Sequence, residues 1–204
     1  MTLFAILPVK PLAAGKSRLA EVMGDADRIA FNRRLAERTL SVAVTAMGAG
    51  RTVVVSRDTV VLGLARKYGA LTVRERGDAG LNAALDQATA EAQRCGADAV
   101  LVLPVDLPLL AAADIEALIP PATARPAVVI APDRHDAGTN ALLLAPPDAL
   151  PFAFGPDSFQ AHLAAARRAN IEPVIVRREG LAFDVDTAED HSLLCRLERY
   201  RAAG

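Results

Sequence analysis

The chain has 204 residues and a formal net charge of −1, with 23 Lys and Arg against 24 Asp and Glu. The length predicts one domain, residues 1–204, with a sizeable core, and the 52% hydrophobic content excludes a disordered chain. The near-neutral charge argues against a surface built throughout to bind nucleic acid, and the short apolar runs exclude a membrane-spanning segment.

Short apolar runs alternate with helical patterns from the N-terminus onward. Strands are predicted at Leu3–Val9, Thr52–Ser56, Ala70–Val73, Asp98–Leu103, Ala127–Ala131, Thr139–Leu144 and Pro173–Val176. Helices are predicted at Asp27–Met47, Val60–Tyr68, Gly80–Arg94, Ala113–Ile119, Ser158–Ala169 and Thr187–Arg199. This alternation predicts a mostly parallel sheet that is covered by helices on both faces. Ligands of such sheets bind beyond the carboxyl ends of the strands.

A basic segment without acids, KPLAAGKSR, follows the first predicted strand and runs from Lys10 to Arg18. Small residues let backbone N–H groups approach an anion, and Lys10, Lys16 and Arg18 supply positive charge. The triplet that begins at Gly15 resembles the end of a Walker A loop, but that motif requires a glycine where Lys10 stands. The segment is therefore predicted to bind phosphate without being a P-loop. A solvated basic loop is the alternative.

Three aspartates lie at or near predicted strand ends. Asp106 follows Asp98–Leu103 directly, in PVDLP, and Asp184 and Asp186 lie two apart in FDVDT. Residues two apart in an extended segment point to the same face, and paired carboxylates without a counter-ion are costly. Carboxylates that converge in this way are typical of Mg²⁺ held together with substrate phosphates. The alternative is that Asp106 stabilises a turn and Asp186 faces solvent or caps the last helix.

Two segments are candidates for binding a second anion. Thr139 follows Gly138 before an apolar run and offers a backbone N–H and a hydroxyl. Gly155 opens a turn into a predicted helix, with Asp157 or Ser158 as its N-cap. A helix N-terminus can bind an anion, although an ordinary N-cap is the alternative.

The remaining polar residues give weaker signals. Gly80 begins a predicted helix, and the amide of Asn82 has the donor and acceptor needed to read a nucleobase edge. His135 and His162 have no partner visible in the sequence and are predicted to lie on the surface. The two cysteines are far apart and without a metal-binding spacing, which is typical of a reduced, cytoplasmic protein.

Taken together, these motifs resemble the guanylyltransferases of coenzyme F420 biosynthesis, which couple GTP to 2-phospholactate, phosphoenolpyruvate or 3-phosphoglycerate. Six segments carry the similarity: LPVKPLAAGKSRLA at 7–20, GLNAAL at 80–85, LPVDLPLL at 103–110, GTNALLL at 138–144, FGPDSFQAHLAAA at 154–166 and FDVDTAED at 183–190. The resemblance implies an α/β protein with a single-domain, three-layer, Rossmann-like nucleotidyltransferase fold and a mostly parallel mixed sheet.

The resemblance also implies a role for each motif. Asp106, Asp184 and Asp186 become ligands of a Mg²⁺ cofactor, and Lys16 and Asp106 act in catalysis. The nucleotide-binding set is Lys10, Gly15, Lys16 and Arg18 around the triphosphate, with Gly80 and Asn82 on the guanine side. The acceptor-substrate pocket is formed by Thr139, Gly155 and Ser158.

The implied reaction is nucleotidyl transfer from GTP to a small phospho-acid. The acceptor's phosphate attacks the α-phosphorus and pyrophosphate leaves; because a phosphate monoester is largely a dianion at neutral pH, no general base is required. The product would pass to a downstream transferase that adds the deazaflavin. The fold often dimerises, so a homodimer is a candidate assembly, whereas nucleic acids and membranes are not expected partners.

Three alternatives keep some of these features. A nucleotidyltransferase of the same superfamily that acts on a sugar or on molybdopterin is disfavoured by GTNALLL and FGPDS. A P-loop kinase or GTPase is disfavoured by Lys10. A non-catalytic nucleotide-binding module is disfavoured because all three metal-binding aspartates are present.

Overall fold

A computed structural model of the chain describes residues 1–77 and 80–203. Within these residues the strands are β1 Leu3–Pro8, β2 Thr52–Ser56, β3 Leu71–Arg74, β4 Ala99–Val102, β5 Ala127–Pro132, β6 Thr139–Ala145 and β7 Val174–Ile175. The helices are α1 Asp25–Met47, α2 Thr59–Lys67, α3 Gly80–Arg94, α4 Ala112–Glu116, α5 Ser158–Arg168, α6 Glu179–Ala182 and α7 Ala188–Ala203. Short 3₁₀ turns lie at Ser17–Glu21, Ala49–Arg51 and Pro120–Thr123.

The strands form one mixed sheet in the order β3-β2-β1-β4-β6-β5-β7. Strand β1 pairs in parallel with β2 and β4, β2 with β3, and β5 with β7, whereas β6 is antiparallel to both of its neighbours. The chain proceeds to one side of β1 for β2 and β3 and to the other side for β4. The loops after β1 and β4 therefore diverge and leave a crevice at the carboxyl ends of these strands.

Helices cover both faces of the sheet, because alternate strand residues point to opposite sides. In β1, Leu3, Ala5 and Leu7 join a core with α1, α2 and α4, whereas Phe4 and Ile6 join a core with α3 and α5. This arrangement confirms the expected three-layer α/β fold with a mostly parallel mixed sheet.

The predicted alternation of strands and helices is confirmed, including the strand at Thr139–Leu144, which belongs to β6. Gly96 closes helix α3, since it has a φ of 92° and the next N–H donates to Ala92 O. The turn Ser17–Glu21 and helix α6 were not predicted, because segments of five and four residues are too short to show an apolar helical period. Among the helices of the described residues, none is both long and apolar enough to cross a membrane.

Candidate active site

A cavity of about 540 Å³ lies at the carboxyl ends of β1, β2 and β4, a size typical of sites for small molecules. Six residues that the sequence had singled out line it: Lys10, Gly15, Lys16, Gly80, Asp106 and Asp186. Arg18 is exposed on the turn Ser17–Glu21 and is not among the lining residues. The structure thus brings the basic segment and two of the aspartates to one cavity.

The basic segment after β1 is held in place by side chains of helix α1. Asn32 Nδ2 donates to the carbonyl oxygens of Leu12 at 2.7 Å and Gly15 at 3.1 Å. Arg28 Nη1 donates to the carbonyl oxygens of Ala13 and Gly15, both at 2.9 Å. These bonds fix the path of the segment before any ligand binds, which reduces the entropy lost on binding.

Gly15 is required by this close approach. A Cβ atom at this position would lie 2.8 Å from Asn32 Nδ2, closer than side chains pack. The next residue, Lys16, has a left-handed backbone with a φ of 55°, which is uncommon for a residue with a side chain. The segment therefore turns sharply at Gly15 and Lys16.

Lys16 links the segment to two of the three predicted aspartates. Its Nζ donates to Asp106 Oδ2 at 2.9 Å and to Asp186 Oδ1 at 2.7 Å. Burial opposes the charge of this ammonium, but the two carboxylates outweigh burial and raise the pKa of Lys16 above its ordinary value. The side chain is therefore a fixed cation at the cavity wall.

Asp184 lies on the same side of the site, but it lacks the Lys16 contact. Its Oδ1 accepts a hydrogen bond of 3.4 Å from Asn140 Nδ2. Burial, together with the negative charges of Asp106 and Asp186, raises the pKa of Asp184 above its ordinary value. The site thus holds more negative charge than Lys16 alone compensates.

The segment that carries Asp184 and Asp186 is extended, as expected, and it alternates in burial. Phe183 and Val185 are buried in a small core with the turn Ser17–Glu21, α1 and α7, and the two aspartates point the other way. Val185 N donates to Asp106 O at 3.2 Å, which joins this segment to the loop after β4. The three aspartates therefore converge from two separate parts of the chain.

The first turn of α7 fixes Asp186 from the other side. Asp190 Oδ2 accepts from the N–H groups of Asp186 at 3.0 Å and Thr187 at 2.8 Å. The Asp190 N–H donates to Thr187 Oγ1, which completes a capping box at Thr187–Asp190. Arg134 pairs with Asp190 and stacks on the Phe183 ring, so charge and packing hold the segment together.

The three aspartates do not form a ready-made metal cage. Within residues 1–77 and 80–203, no group of three or more His, Cys, Asp and Glu side chains is arranged to hold a metal ion. Among the described residues, Asp106 Oδ1 is nevertheless buried without a hydrogen-bond partner, and Asp184 carries an uncompensated charge. Mg²⁺ is usually bound through one or two carboxylates and substrate phosphates, so these residues fit a cation that binds together with the nucleotide.

The guanine-side motif contacts the protein itself. Gly80 begins α3 at the cavity with a φ of 82°. Asn82 Nδ2 donates to Phe154 O at 3.1 Å, and Asn82 Oδ1 accepts from Phe154 N at 2.9 Å. The amide of Asn82 therefore binds the main chain of Phe154, and its reading of a nucleobase stays a prediction.

The three residues predicted for the acceptor pocket are close together, but two of them are buried. Thr139 N donates to Ser158 Oγ at 2.9 Å, and Ser158 N donates to Gly155 O at 3.2 Å. Thr139 and Ser158 are only 4% and 2% exposed, whereas Gly155 is exposed. Asp157 is the N-cap residue of α5, as one of the two predicted positions, but its side chain makes no capping hydrogen bond, and the Ser158 hydroxyl accepts from Thr139 N.

His162 is the centre of this buried network, and its predicted surface position is wrong. It has no exposed area; Ala153 N donates to its Nε2 at 3.1 Å, so its proton lies on Nδ1, which contacts Thr139 Oγ1 at 3.0 Å. Burial lowers the pKa of His162 to about 4, so the ring is neutral at physiological pH. His135 is exposed, as expected.

Arg57, Glu75 and Phe154 are among the cavity residues that were not identified from the sequence. Arg57 follows β2 and Glu75 follows β3, and their side chains form a two-bond ion pair at 2.5 and 3.3 Å. Phe154 lines the cavity, and its ring contacts His162 edge-on at 4.9 Å between centroids. Arg57 and Glu75 were detectable as charged residues at strand ends, but their pairing depends on the alignment of β2 with β3.

Comparisons with known proteins show similarity to one family over most of the chain. Residues 3–196 match the family model described as "Guanylyl transferase CofC like". The phosphoenolpyruvate guanylyltransferase of Rubrobacter xylanophilus is 46% identical over 97% of this chain and 94% of its own length. That of Sphaerobacter thermophilus is 40% identical over 93% of this chain and 91% of its own length.

Solved structures show the same fold at low sequence identity. A Methanothermobacter nucleotidyl transferase superposes with a TM-score of 0.68 at 17% identity and covers 98% of both chains. The fold is therefore that of nucleotidyltransferases.

Proposed function

Since the chain belongs to the CofC-like guanylyl transferase family, we propose that it transfers GMP from GTP to the phosphate of phosphoenolpyruvate and releases pyrophosphate. The reaction would serve coenzyme F420 biosynthesis, with the guanylated product passed to a transferase that adds the deazaflavin. The choice of phosphoenolpyruvate over 2-phospholactate and 3-phosphoglycerate is supported by the names of the two relatives.

One observation carries the proposal: Lys16, buried at the cavity wall, is paired with both Asp106 and Asp186. A reaction between two polyanions needs their repulsion screened and their reacting atoms aligned. A fixed cation beside carboxylates that can share a metal suits this task. A pocket for an apolar ligand would not need a buried ammonium paired with two carboxylates.

The transfer needs no proton to be removed by the protein. An oxygen of the acceptor's phosphate attacks the α-phosphorus of GTP, a new P–O–P linkage forms, and the bond between the α-phosphorus and the bridging oxygen breaks. The electron pair of that bond leaves with pyrophosphate. The acceptor phosphate is largely a dianion at neutral pH, so it is already a nucleophile.

The protein's groups would act on charge and position. The Lys16 ammonium would neutralise phosphate oxygens of GTP, and the segment from Lys10 to Gly15 would follow the triphosphate. Mg²⁺ held by Asp106, Asp184 and Asp186 would screen the charge that develops on the phosphates. The rigid segment after β1 would keep the α-phosphorus in one place during the attack.

The acceptor is proposed to bind beside Gly155, where the exposed turn adjoins Thr139 and Ser158. Their buried hydroxyls already accept hydrogen bonds inside the protein, since Ser158 Oγ accepts from Thr139 N and Thr139 Oγ1 accepts from the protonated Nδ1 of His162. A hydroxyl that accepts in the protein keeps its own hydrogen for donation. Both groups would therefore favour an anionic acceptor, provided that the turn at Gly155 moves to admit it.

The test is a pyrophosphate-release assay with GTP, Mg²⁺ and each of the three phospho-acids, with mass detection of the product. We expect release with phosphoenolpyruvate and the mass of a guanosine conjugate joined through a diphosphate. Loss of pyrophosphate release when EDTA chelates the metal would support the Mg²⁺ part of the proposal. Protein that binds GTP but releases no pyrophosphate with any acceptor would contradict it.

A further inference from the structure

The cavity has two chemically different ends. Lys10, Lys16, Asp106 and Asp186 mark the end at β1 and β4. The other end lies at β2 and β3 and is lined by Val55, Leu81 and Ala84 together with the Arg57–Glu75 pair. The charged end suits the phosphates, which leaves the apolar end for the planar base.

The two ends are separated by the width of the sheet. Glu75 directly follows β3 and Asp106 follows β4, and the order β3-β2-β1-β4 puts three strand spacings between them. At about 4.8 Å for each spacing, this is roughly 14 Å. A nucleotide bound with its phosphates at Lys16 therefore extends its base toward Glu75.

Glu75 is the one carboxylate at the base end, among the lining residues in the described parts of the chain. Its side chain is 14% exposed, and Arg57 contacts both of its oxygens. This pairing restricts the rotation of the carboxylate. A carboxylate offers about four lone-pair positions, so each oxygen can still accept a further hydrogen bond.

We propose that Glu75, held by Arg57, is the residue that selects guanine, by accepting hydrogen bonds from the N1–H and the 2-amino group of the base. The inference rests on the proposed use of GTP. Guanine presents two adjacent N–H donors on this edge, and an acceptor-only carboxylate matches both. Adenine places the acceptor N1 beside its amino group. A carboxylate there can accept from the amino group, but the N1 lone pair repels its other oxygen.

Glu75 could read the base, or it could only help to hold the cavity together, and these two roles predict different results. If Glu75 only supported Arg57, its substitution would weaken every nucleotide equally. If Glu75 reads the base, the loss depends on which donors the base carries. Inosine triphosphate, which keeps N1–H but lacks the 2-amino group, is therefore the informative probe.

The test is the direct titration of the wild-type protein with GTP, ITP and ATP in the absence of acceptor. Hydrogen bonds to a charged group predict that ITP binds about 10-fold or more weakly than GTP, and ATP more weakly still. Equal affinity for GTP and ITP in the wild type would overturn the proposal. This comparison needs no variant, so it does not depend on how a substitution affects folding.

The variant Glu75→Gln sharpens the result. It is expected to lose about 10- to 100-fold in affinity for GTP, less for ITP, and none for ATP. Glu37→Gln is the matched control, because Glu37 also pairs with an arginine, Arg33, but on the exposed side of α1. Equal losses for all three nucleotides, or none, in a variant with wild-type thermal stability would contradict base selection.

Failure of this inference can be told apart from failure of the proposed function. Nucleotide binding is measured without acceptor, whereas transfer is measured by pyrophosphate release. A protein that prefers GTP through Glu75 but releases no pyrophosphate leaves the inference intact and overturns the transfer. A protein that transfers GMP but has the same affinity for ITP and GTP overturns the inference and leaves the proposed transfer intact.

Discussion

The two halves of the site satisfy their polar groups in different ways. Around the cavity, Asp106 keeps a buried oxygen that has no hydrogen-bond partner in the described parts of the chain, and burial disfavours the charge of Asp184. Around Thr139, Ser158 and His162, buried polar groups pair with one another. The nucleotide half therefore has polar groups that a ligand can satisfy, whereas in the acceptor half the buried polar groups already satisfy one another.

This difference predicts that substitutions in the nucleotide half reduce activity and those in the acceptor half reduce stability. The largest effect is expected for Asp106→Asn, which keeps the shape of the side chain but removes its charge. Turnover should fall about 100- to 1,000-fold, as for other electrostatic groups at a reacting centre. Pyrophosphate release measures the loss, and a change in thermal midpoint of only a few degrees would show that the fold is retained.

Asp136→Asn is the matched control for this substitution. Asp136 also pairs with a basic residue, Arg177, but it is exposed and away from the cavity. We expect its turnover to equal that of the wild type. Similar rates for both variants would mean that Asp106 is structural and that the comparison of the two halves is wrong.

The second prediction concerns acid stability and the acceptor half. The pKa of His162 is about 4 in the folded protein, against an ordinary 6.5. Between these two pH values the unfolded chain is protonated at His162, whereas the folded protein is not. Stability conferred by the neutral ring is present above pH 6.5 and is lost as the pH falls toward 4. We expect the free energy of unfolding to drop by about 2–3 kcal/mol between these limits.

Denaturant titrations across this pH range give the measurement. In His162→Gln the drop should shrink by most of that amount, whereas the exposed His135→Gln should keep it. An unchanged pH dependence in His162→Gln would show that His162 is not held neutral by the buried network.

The third prediction tests the link between the halves. Asn82→Ala removes both hydrogen bonds to the Phe154 main chain, so the unfolding free energy should fall by about 1–2 kcal/mol. GTP affinity should fall as well, because Phe154 lines the cavity. Gln93→Ala, at an exposed position of the same helix, is the control. Equal stability of the two variants would show that the hydrogen bonds of Asn82 to Phe154 do not stabilise the fold.

The smallest change in stability is expected at Asp184. Removing its charge by Asp184→Asn relieves a buried carboxylate whose pKa is raised, so the free energy of unfolding at pH 7 should increase by up to about 1 kcal/mol. The gain should vanish below the ordinary Asp range, where the wild-type side chain is also neutral. Exposed Asp148→Asn should show no gain, and a loss of stability in Asp184→Asn would contradict the uncompensated charge.

The fold and the charged end of the cavity could be predicted from the sequence for a physical reason. Buried parallel strands are continuous apolar runs, and functional groups follow their carboxyl ends. Lys16 lies in the loop that follows one such run and Asp106 lies soon after another, and the period of two in FDVDT puts Asp184 and Asp186 on one face.

The acceptor half could not be predicted in the same way. His162 shows no partner in the sequence because Thr139 and Ala153 reach it only through the packing of α5 against β6 and the turn before α5. The pairing of Arg57 with Glu75 likewise depends on the parallel alignment of β2 with β3. Contacts of this kind are set by tertiary structure rather than by local pattern.

The most direct test of the central claim follows the atoms of the reaction. Phosphoenolpyruvate labelled with ¹⁸O at its non-bridging phosphate oxygens is incubated with GTP, Mg²⁺ and the protein. The masses of both products are then measured by mass spectrometry. Attack by the acceptor phosphate on the α-phosphorus places all the label in the guanosine conjugate and none in pyrophosphate. Label in pyrophosphate, or a product without the guanosine mass, would contradict the account.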